Sequence, residues 1–353
     1  MPYLAAAAAD ARLGTLSDNL LFAAVVAYSL AMLLFAAEFA FTRRLRTTVA
    51  LDRRVELPEV AQNRVLVGAG MGAGSADGLP DAPDRDLPPP AAPPAPSRLA
   101  RGLGVLALAL TGIGWGLHVG SAVTRGLAAH RVPWGNMYEF SSMVALAAVT
   151  AFLVLVSRER VRSLGAFVLL PVVLYLGLAG TVLYVPAGPL VPALNSYWIK
   201  IHVVAAVSAS GILMLGAVVT VLYLVRSRFE ALSKAGRRPG VSRLAGPLPS
   251  AAALDRTAYR LIAFGFPVWT FAVIAGAIWA EAAWGRYWGW DPKETWSFIT
   301  WVIYAGYLHA RATAGWKGTR AAGIGLVGFA ALMIDYYAVN MWIVGLHSYA
   351  GVK

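Results

Sequence analysis

The sequence predicts an all-α, polytopic membrane protein of about eight transmembrane helices, with both termini outside and an external Trp-rich loop. Three observations carry that expectation. Of 353 residues, 58% are hydrophobic and 14% charged, with a mean hydropathy of +0.62, whereas a soluble domain is about 45–50% apolar and about 25% charged. A soluble globular protein is thereby excluded. Eight apolar runs approach or reach the ~20 residues that a helix needs to cross hydrocarbon, at 20–41, 102–124, 138–156, 164–184, 202–225, 259–281, 296–313 and 321–345. Lys and Arg fall in alternate connections: nine in 42–101, three in 157–163, eight in 226–260 and three in 311–320. By the positive-inside rule these 23 of 30 basic residues make those loops cytoplasmic and leave 125–137, 185–201 and 282–295 facing outward. The net charge of +12 is then topology, and no nucleic-acid partner is needed.

Taken in order, residues 1–41 form an N-terminal transmembrane anchor. Arg12 is the only base before Leu20, so the basic start of a cleaved secretory signal is missing and the first span is expected to be retained. Residues 42–100 include DAPDRDLPPPAAPPAP, a composition that cannot bury a core and reads as a cytoplasmic, Pro/Ala-rich disordered linker. Residues 101–353 form a seven-helix bundle whose external loop spans about 282–296. The basic loop 227–256 shows no motif for chemistry, and the chain shows no internal repeat. With no cysteine, it can form neither a disulfide nor a thiolate metal site.

Chemistry is expected where polar and aromatic residues gather against the membrane's preference. Six of the twelve tryptophans fall within 279–301, in a run that contains WGRYWGWDPKETW. An interfacial aromatic belt is the plain alternative, because Trp favours membrane surfaces. A belt spreads its Trp over many helix ends, however, and here they alternate with glycines and charges in one outward loop. Trp284, Trp288 and Trp290 can offer an apolar shelf to a planar ligand, with Gly285 and Gly289 allowing close approach and Arg286 and Lys293 receiving acidic groups on its rim. His202, in NSYWIKIHV, and His347, in DYYAVNMWIVGLHSYA, flank this loop at a common depth, as two axial ligands of one porphyrin would. His309 lies some 20 Å below the outer surface at ~1.5 Å per residue, where an ionisable side chain is a functional hypothesis by default. His118 and His130 read as structural.

WGRYWGWDPKETW resembles the WWD signature of the haem-handling superfamily. Together with NSYWIKIHV, RVPWGNMYEF, the intramembrane His309 and DYYAVNMWIVGLHSYA, it resembles the CcsA (ResC) family of System II cytochrome c biogenesis, called CcsB in actinobacteria. The likeness runs from about residue 100 to the C-terminus. It implies a bacterial plasma-membrane protein that carries haem b (iron protoporphyrin IX) to the outer face and presents it for attachment to the CxxCH of an apocytochrome c. It would do so as the haem-presenting subunit of a cytochrome c synthase, with a ResB-type partner and a thioredoxin-like thiol reductant. His202 and His347 match the family's outer axial ligands, and Trp284, Trp288, Trp290 and Asp291 its haem loop, beside Trp296. His309 matches the intramembrane ligand. Asp291 and Glu294 are candidates for orienting the loop or handling a proton. A haem exporter without synthase activity and a membrane b-type cytochrome passing electrons are the competing functions.

Overall fold

The computed structural model describes residues 2–55, 97–159, 161–188, 196–237 and 245–347. The described residues are helical throughout apart from their connections. The helices are α1 (Pro2–Val55), α2 (Arg98–Ala128), α3 (Met137–Arg158), α4 (Gly165–Val182, entered through the 3-10 turn Arg162–Leu164), α5 (Tyr197–Lys234), α6 (Ala251–Trp284), α7 (Pro292–Ala312) and α8 (Thr319–Met333). A π-helical turn, Ile334–Ala338, then leads into the short α9 (Val339–Trp342).

Short polar residues set most of the helix starts. Ser97, Asn136, Ser196 and Ser250 each accept a first-turn backbone N–H with a side-chain oxygen, at α2, α3, α5 and α6 respectively. This satisfies donors that have no carbonyl partner inside the helix. Seven of the helices are long and apolar enough to cross a membrane: Asp10–Thr42, Arg98–Ala128, Met137–Arg158, Arg162–Val182, Tyr197–Lys234, Ala251–Trp284 and Thr319–Trp342. The run expected at 296–313 forms α7, but that helix does not reach the same apolarity. Its first turn carries Lys293 and Glu294 and its last turn His309 and Arg311, and it buries Thr300, Tyr304 and Tyr307. The Tyr304 and Tyr307 rings lie against Gly328 and Gly325 of α8. Helix α1 runs to Val55, past the expected boundary at residue 41. The expected linker from 56 to 96 lies outside the described residues.

Helix α5 is the centre of the bundle. Of its most apolar window 78% is buried within the protein, against 28% for α2 and α6, and it packs on α3, α6 and α8. Helix α1 lies against α2 and α4 at one side, and α7 packs on α6 and α8 at the other. The outward faces carry exposed Phe22, Leu33, Leu174 and Phe264. Such faces are suited to lipid, where helices satisfy their own backbone.

The loops expected on the outer side meet at one end, tied by a buried ionic knot around Glu139. Its carboxylate accepts from Arg125 Nε at 2.8 Å, Arg131 Nη1 at 2.7 Å and the Gly135 N–H at 2.7 Å. Arg125 also pairs with Asp18 of α1 at 3.5 Å and donates to the Val185 carbonyl, while Arg131 Nε donates to the Gly188 carbonyl at 2.9 Å. At the opposite end, Glu38 pairs with Arg162, and Asp255 with Arg311 at 2.8 Å. His118, wholly buried, bonds Ser142 Oγ through Nε2 at 2.8 Å, and His130 Nε2 meets Asp10 at 3.0 Å.

Because Glu139 holds two guanidinium groups away from water, Glu139→Ala leaves buried cations without their counter-charge. It is expected to cost about 3–5 kcal/mol of stability. Arg260→Ala removes a pair to Glu159 whose Arg side chain is 66% exposed, and is expected to cost less than about 1 kcal/mol. Thermal unfolding in detergent separates the two; equal losses would show that the knot is not a structural centre.

Candidate functional site: two histidines behind a tryptophan loop

His202 stands on the second turn of α5, where the helix meets α6. Its Nδ1 lies 2.8 Å from the Ala272 carbonyl oxygen. A carbonyl only accepts, so Nδ1 carries the ring proton and Nε2 the lone pair. The contact depends on Gly276, one turn further along α6: a Cβ there would lie 2.7 Å from His202 Nδ1. Glycine thus lets the imidazole reach the α6 backbone.

His347 comes from the chain after α9, and its Nδ1 lies 2.8 Å from Asp291 Oδ2. The other carboxylate oxygen accepts the Leu346 N–H at 2.7 Å. Burial alone would raise the Asp291 carboxyl. The hydrogen bonds from the Leu346 N–H and the His347 ring outweigh it and hold the group below its ordinary range. Burial, reinforced by the nearby Lys293 ammonium, pushes the His347 imidazole down to about 4. At neutral pH the ring is therefore neutral, with its proton on Nδ1 and its lone pair on Nε2. Both histidines have the arrangement usual for metal-binding imidazoles, in which the second ring nitrogen donates to a carbonyl or carboxylate that fixes orientation and raises basicity.

Trp279, 1% exposed, packs against both imidazoles. Its ring is parallel to His202 within 10° at a centroid distance of 6.4 Å, and lies 5.8 Å from His347. Trp284 closes the far side at 4.9 Å from His347 and 4.8 Å from Trp279. Two adjoining chambers, of about 740 and about 1050 Å³, share Phe140, His202, Trp279, Lys293, Tyr336 and His347 in their walls.

The Trp-rich loop has its own skeleton. Helix α6 ends on Gly285 at φ 70°, a left-handed stop that glycine adopts without steric cost. Asp291 and Glu294 then form a capping box at the start of α7, with Pro292 in its first turn. Glu294 Oε2 accepts the N–H groups of Gly289 at 2.8 Å and Asp291 at 3.0 Å, and Oε1 pairs with Arg286 at 3.3 Å. Both acidic candidates are thus engaged in shaping the loop, and Arg286 with them. Trp290 stands at φ 58°, a conformation uncommon for a bulky residue, with its side chain largely exposed. Trp288 and Trp290 meet edge to face at 89°, and both meet Phe298 in the same manner. The expected shelf is therefore faceted, as aromatic quadrupoles favour. Trp284 belongs with the histidines instead.

Of the residues singled out from sequence, His202, His347, Lys293, Glu294 and Trp288 line the chambers. Trp284 and Asp291 support His347 from behind. Trp296, half-buried on the first turns of α7, and Arg286 do not line them. His309 is not brought here: it lies exposed near the other end of α7, where its backbone carbonyl accepts from Thr313 and its side chain makes no bond among the described residues. The structure adds Trp279, Gly276, Tyr336 and Asp335 to the walls. Asp335 had a readable signal, an acid inside an apolar run. Trp279 had none beyond its place in the cluster.

A family model described as cytochrome C assembly protein matches residues 134–347, the stretch that supplies both histidines and the loop. The cytochrome c biogenesis protein CcsA of Gloeobacter violaceus is 34% identical over 295 residues, covering 70% of this chain and 86% of its own. The CcsA proteins of Trieres chinensis and Porphyra purpurea are each 36% identical, over 252 and 250 residues, covering 64% and 62% of this chain and 80% and 78% of theirs. With that match and this helical architecture, the chain belongs to the CcsA/ResC family of System II cytochrome c biogenesis proteins, within the WWD-domain haem-handling superfamily.

Proposed function

We propose that the protein brings haem to the outer face of a bacterial cytoplasmic membrane and presents it between His202 and His347 to the CxxCH segment of an apocytochrome c. It works as the haem-presenting subunit of a synthase with a ResB-type partner, all eight helices from α1 to α8 crossing the membrane. The observation that carries this reading is the matched pair of imidazoles. Each has Nδ1 bonded to an oxygen of another helix or loop, and both line one pair of chambers.

Haem supplies the iron that the two imidazoles bind and the vinyl groups to which the acceptor's thiols add. The chain supplies position. Ala272 and Gly276 set the His202 ring, and Asp291 sets His347. Trp279 and Trp284 exclude water around the imidazoles, and Trp288, Trp290 and Phe298 give the outer rim apolar faces. Lys293, in the wall of both chambers, is the cation for a propionate. Arg286 and Glu294 hold the loop, and Trp296 anchors its junction with α7. His309, exposed on α7, is the waiting point within the membrane, completed by a histidine of the partner. Such a device acts by turning a bimolecular encounter into an oriented one. Ligands at an outer edge, beneath a solvent-facing loop, suit loading and release better than the permanent residence of an electron carrier. An external thioredoxin-like protein keeps the acceptor's thiols reduced, since this chain has no cysteine.

Purified with its partner, the wild-type protein is expected to hold haem with a bis-imidazole absorption spectrum. The His202→Ala/His347→Ala variant is expected to lose it and regain it when imidazole is added. Unchanged haem content and spectrum in the variant would remove both histidines from the site.

Asp291→Ala takes the orienting carboxylate from His347 and is expected to weaken haem binding about 10–100-fold. Glu281→Ala, an exposed side chain just before the loop, serves as the control. Haem titration of the two apo-proteins makes the comparison, and equal affinity would show that Asp291 acts only as a helix cap.

A further inference from the structure

The chambers contain a charge arrangement that the binding of iron does not use. Asp335 sits on the π-helical turn Ile334–Ala338, 5% exposed, in the wall of the smaller chamber with His202, Lys293 and His347. Its Oδ1 is buried and has no hydrogen-bond partner among the described residues. Opposite stands Lys293. Asp335 exerts the strongest attraction on its ammonium and Asp291 the second strongest, yet among the described residues Lys293 closes no ion pair with either. Asp291 is already committed to the Leu346 N–H and the His347 ring. Asp335 is therefore the counter-charge left to the lysine. Both line the smaller chamber.

A buried carboxylate without hydrogen bonds is costly, and a π-turn is itself a rare distortion found mostly at functional sites. A site built only for tight retention of an anionic group would place the ammonium alone, or backed by donors. Here a negative charge sits within reach of the same ammonium and opposes any carboxylate that approaches it.

We infer that Asp335 is a positioning residue for release: by competing for Lys293 it weakens the hold of the outer site on an acidic substituent of its guest, so that the guest leaves. The proposal rests on the reading of the site given above and extends it to the step after presentation. With Asp335 in place, the ammonium and carboxylate together are neutral, and the guest's acidic group gains only part of the lysine's attraction. Without it the full attraction goes to the guest. Opposite charges that share a partly desolvated site interact by enough to change an equilibrium about tenfold or more.

The test uses the full chain with its partner, loaded with haem, and an apo-globin as scavenger. Haem content and the rate of haem transfer to the globin are read for wild type, Asp335→Asn, Asp335→Glu, Lys293→Met and the double variant Asp335→Asn/Lys293→Met. Asp335→Asn is expected to retain its haem and to release it about tenfold more slowly than wild type. Asp335→Glu keeps the charge and is expected to release at least as fast as wild type. Lys293→Met is expected to release faster, and adding Asp335→Asn to it is expected to change nothing further, because the acid acts through the lysine. Equal or faster release from Asp335→Asn, slower release from Asp335→Glu, or an undiminished effect of Asp335→Asn in the Lys293→Met background would each overturn the inference. Should Asp335→Asn fail to accumulate, the Asp335→Glu rate still decides. Bis-imidazole haem that is lost with His202 and His347 but released indifferently to Asp335 would defeat this inference alone. Haem that does not depend on those histidines would defeat the reading beneath it.

Discussion

The site depends first on the Asp291 carboxylate. One oxygen takes the Leu346 N–H and the other the His347 ring, while the same side chain caps α7. Three parts of the chain are thereby fixed to one another: the end of the Trp-rich loop, the start of α7, and the segment after α9 that brings His347. Glu294 completes the arrangement from the other side by accepting two loop N–H groups and holding Arg286. Neither acid has a side-chain oxygen idle enough to serve as a mobile proton carrier. Their bonds fix an imidazole and a loop in place.

The membrane supplies a second constraint. Lipid offers no hydrogen bonds, so polar groups within the bundle must find partners in the protein or carry a function. Most find partners: His118 bonds Ser142, Tyr336 donates to the Met137 carbonyl, and Glu139 gathers two arginines. Against that background the exceptions are informative. Asp335 and Lys293 stay apart inside the chamber wall, and the exposed His309 side chain makes no bond among the described residues. The Glu139 knot matters for the same reason. By tying α1, α2 and α3 and the connection after α4 at one end, it fixes the frame against which α5 presents His202.

The bundle was legible because a helix in lipid must be apolar along its length, and the expected runs differ from the helices mainly at their ends. The exception is physical. Helix α7 turns one side toward α8 and carries polar residues at both ends, so its average apolarity falls below that of the other seven although it is as regular a helix. The His202 and His347 pair could be read from topology, because alternate basic loops put both at one end. Their supports could not. The Ala272 carbonyl, the space at Gly276 and the position of Trp279 arise from the crossing of α5 and α6, and no local pattern encodes that crossing. The faceted arrangement of Trp288, Trp290 and Phe298 is likewise a packing outcome, set by a strained turn at Trp290 and by ring electrostatics.

A carrier that must give up its cargo faces a conflict between holding and yielding. In the proposed function, two imidazoles, each oriented from behind, would favour holding. The rest of the site works the other way. His347 follows α9, outside any helix, and is bonded to Asp291, whereas His202 is built into the central helix of the bundle. Among the described residues, Lys293 is the cation common to both chamber walls, and Asp335 lines one of them. The rim beyond is made of rings packed edge to face, with Trp290 and Phe298 exposed. On the function proposed above, departure would be provided for at the segment carrying His347, at the carboxylate side of the guest and at the mouth, while His202 would give the cargo a fixed point until the acceptor takes it.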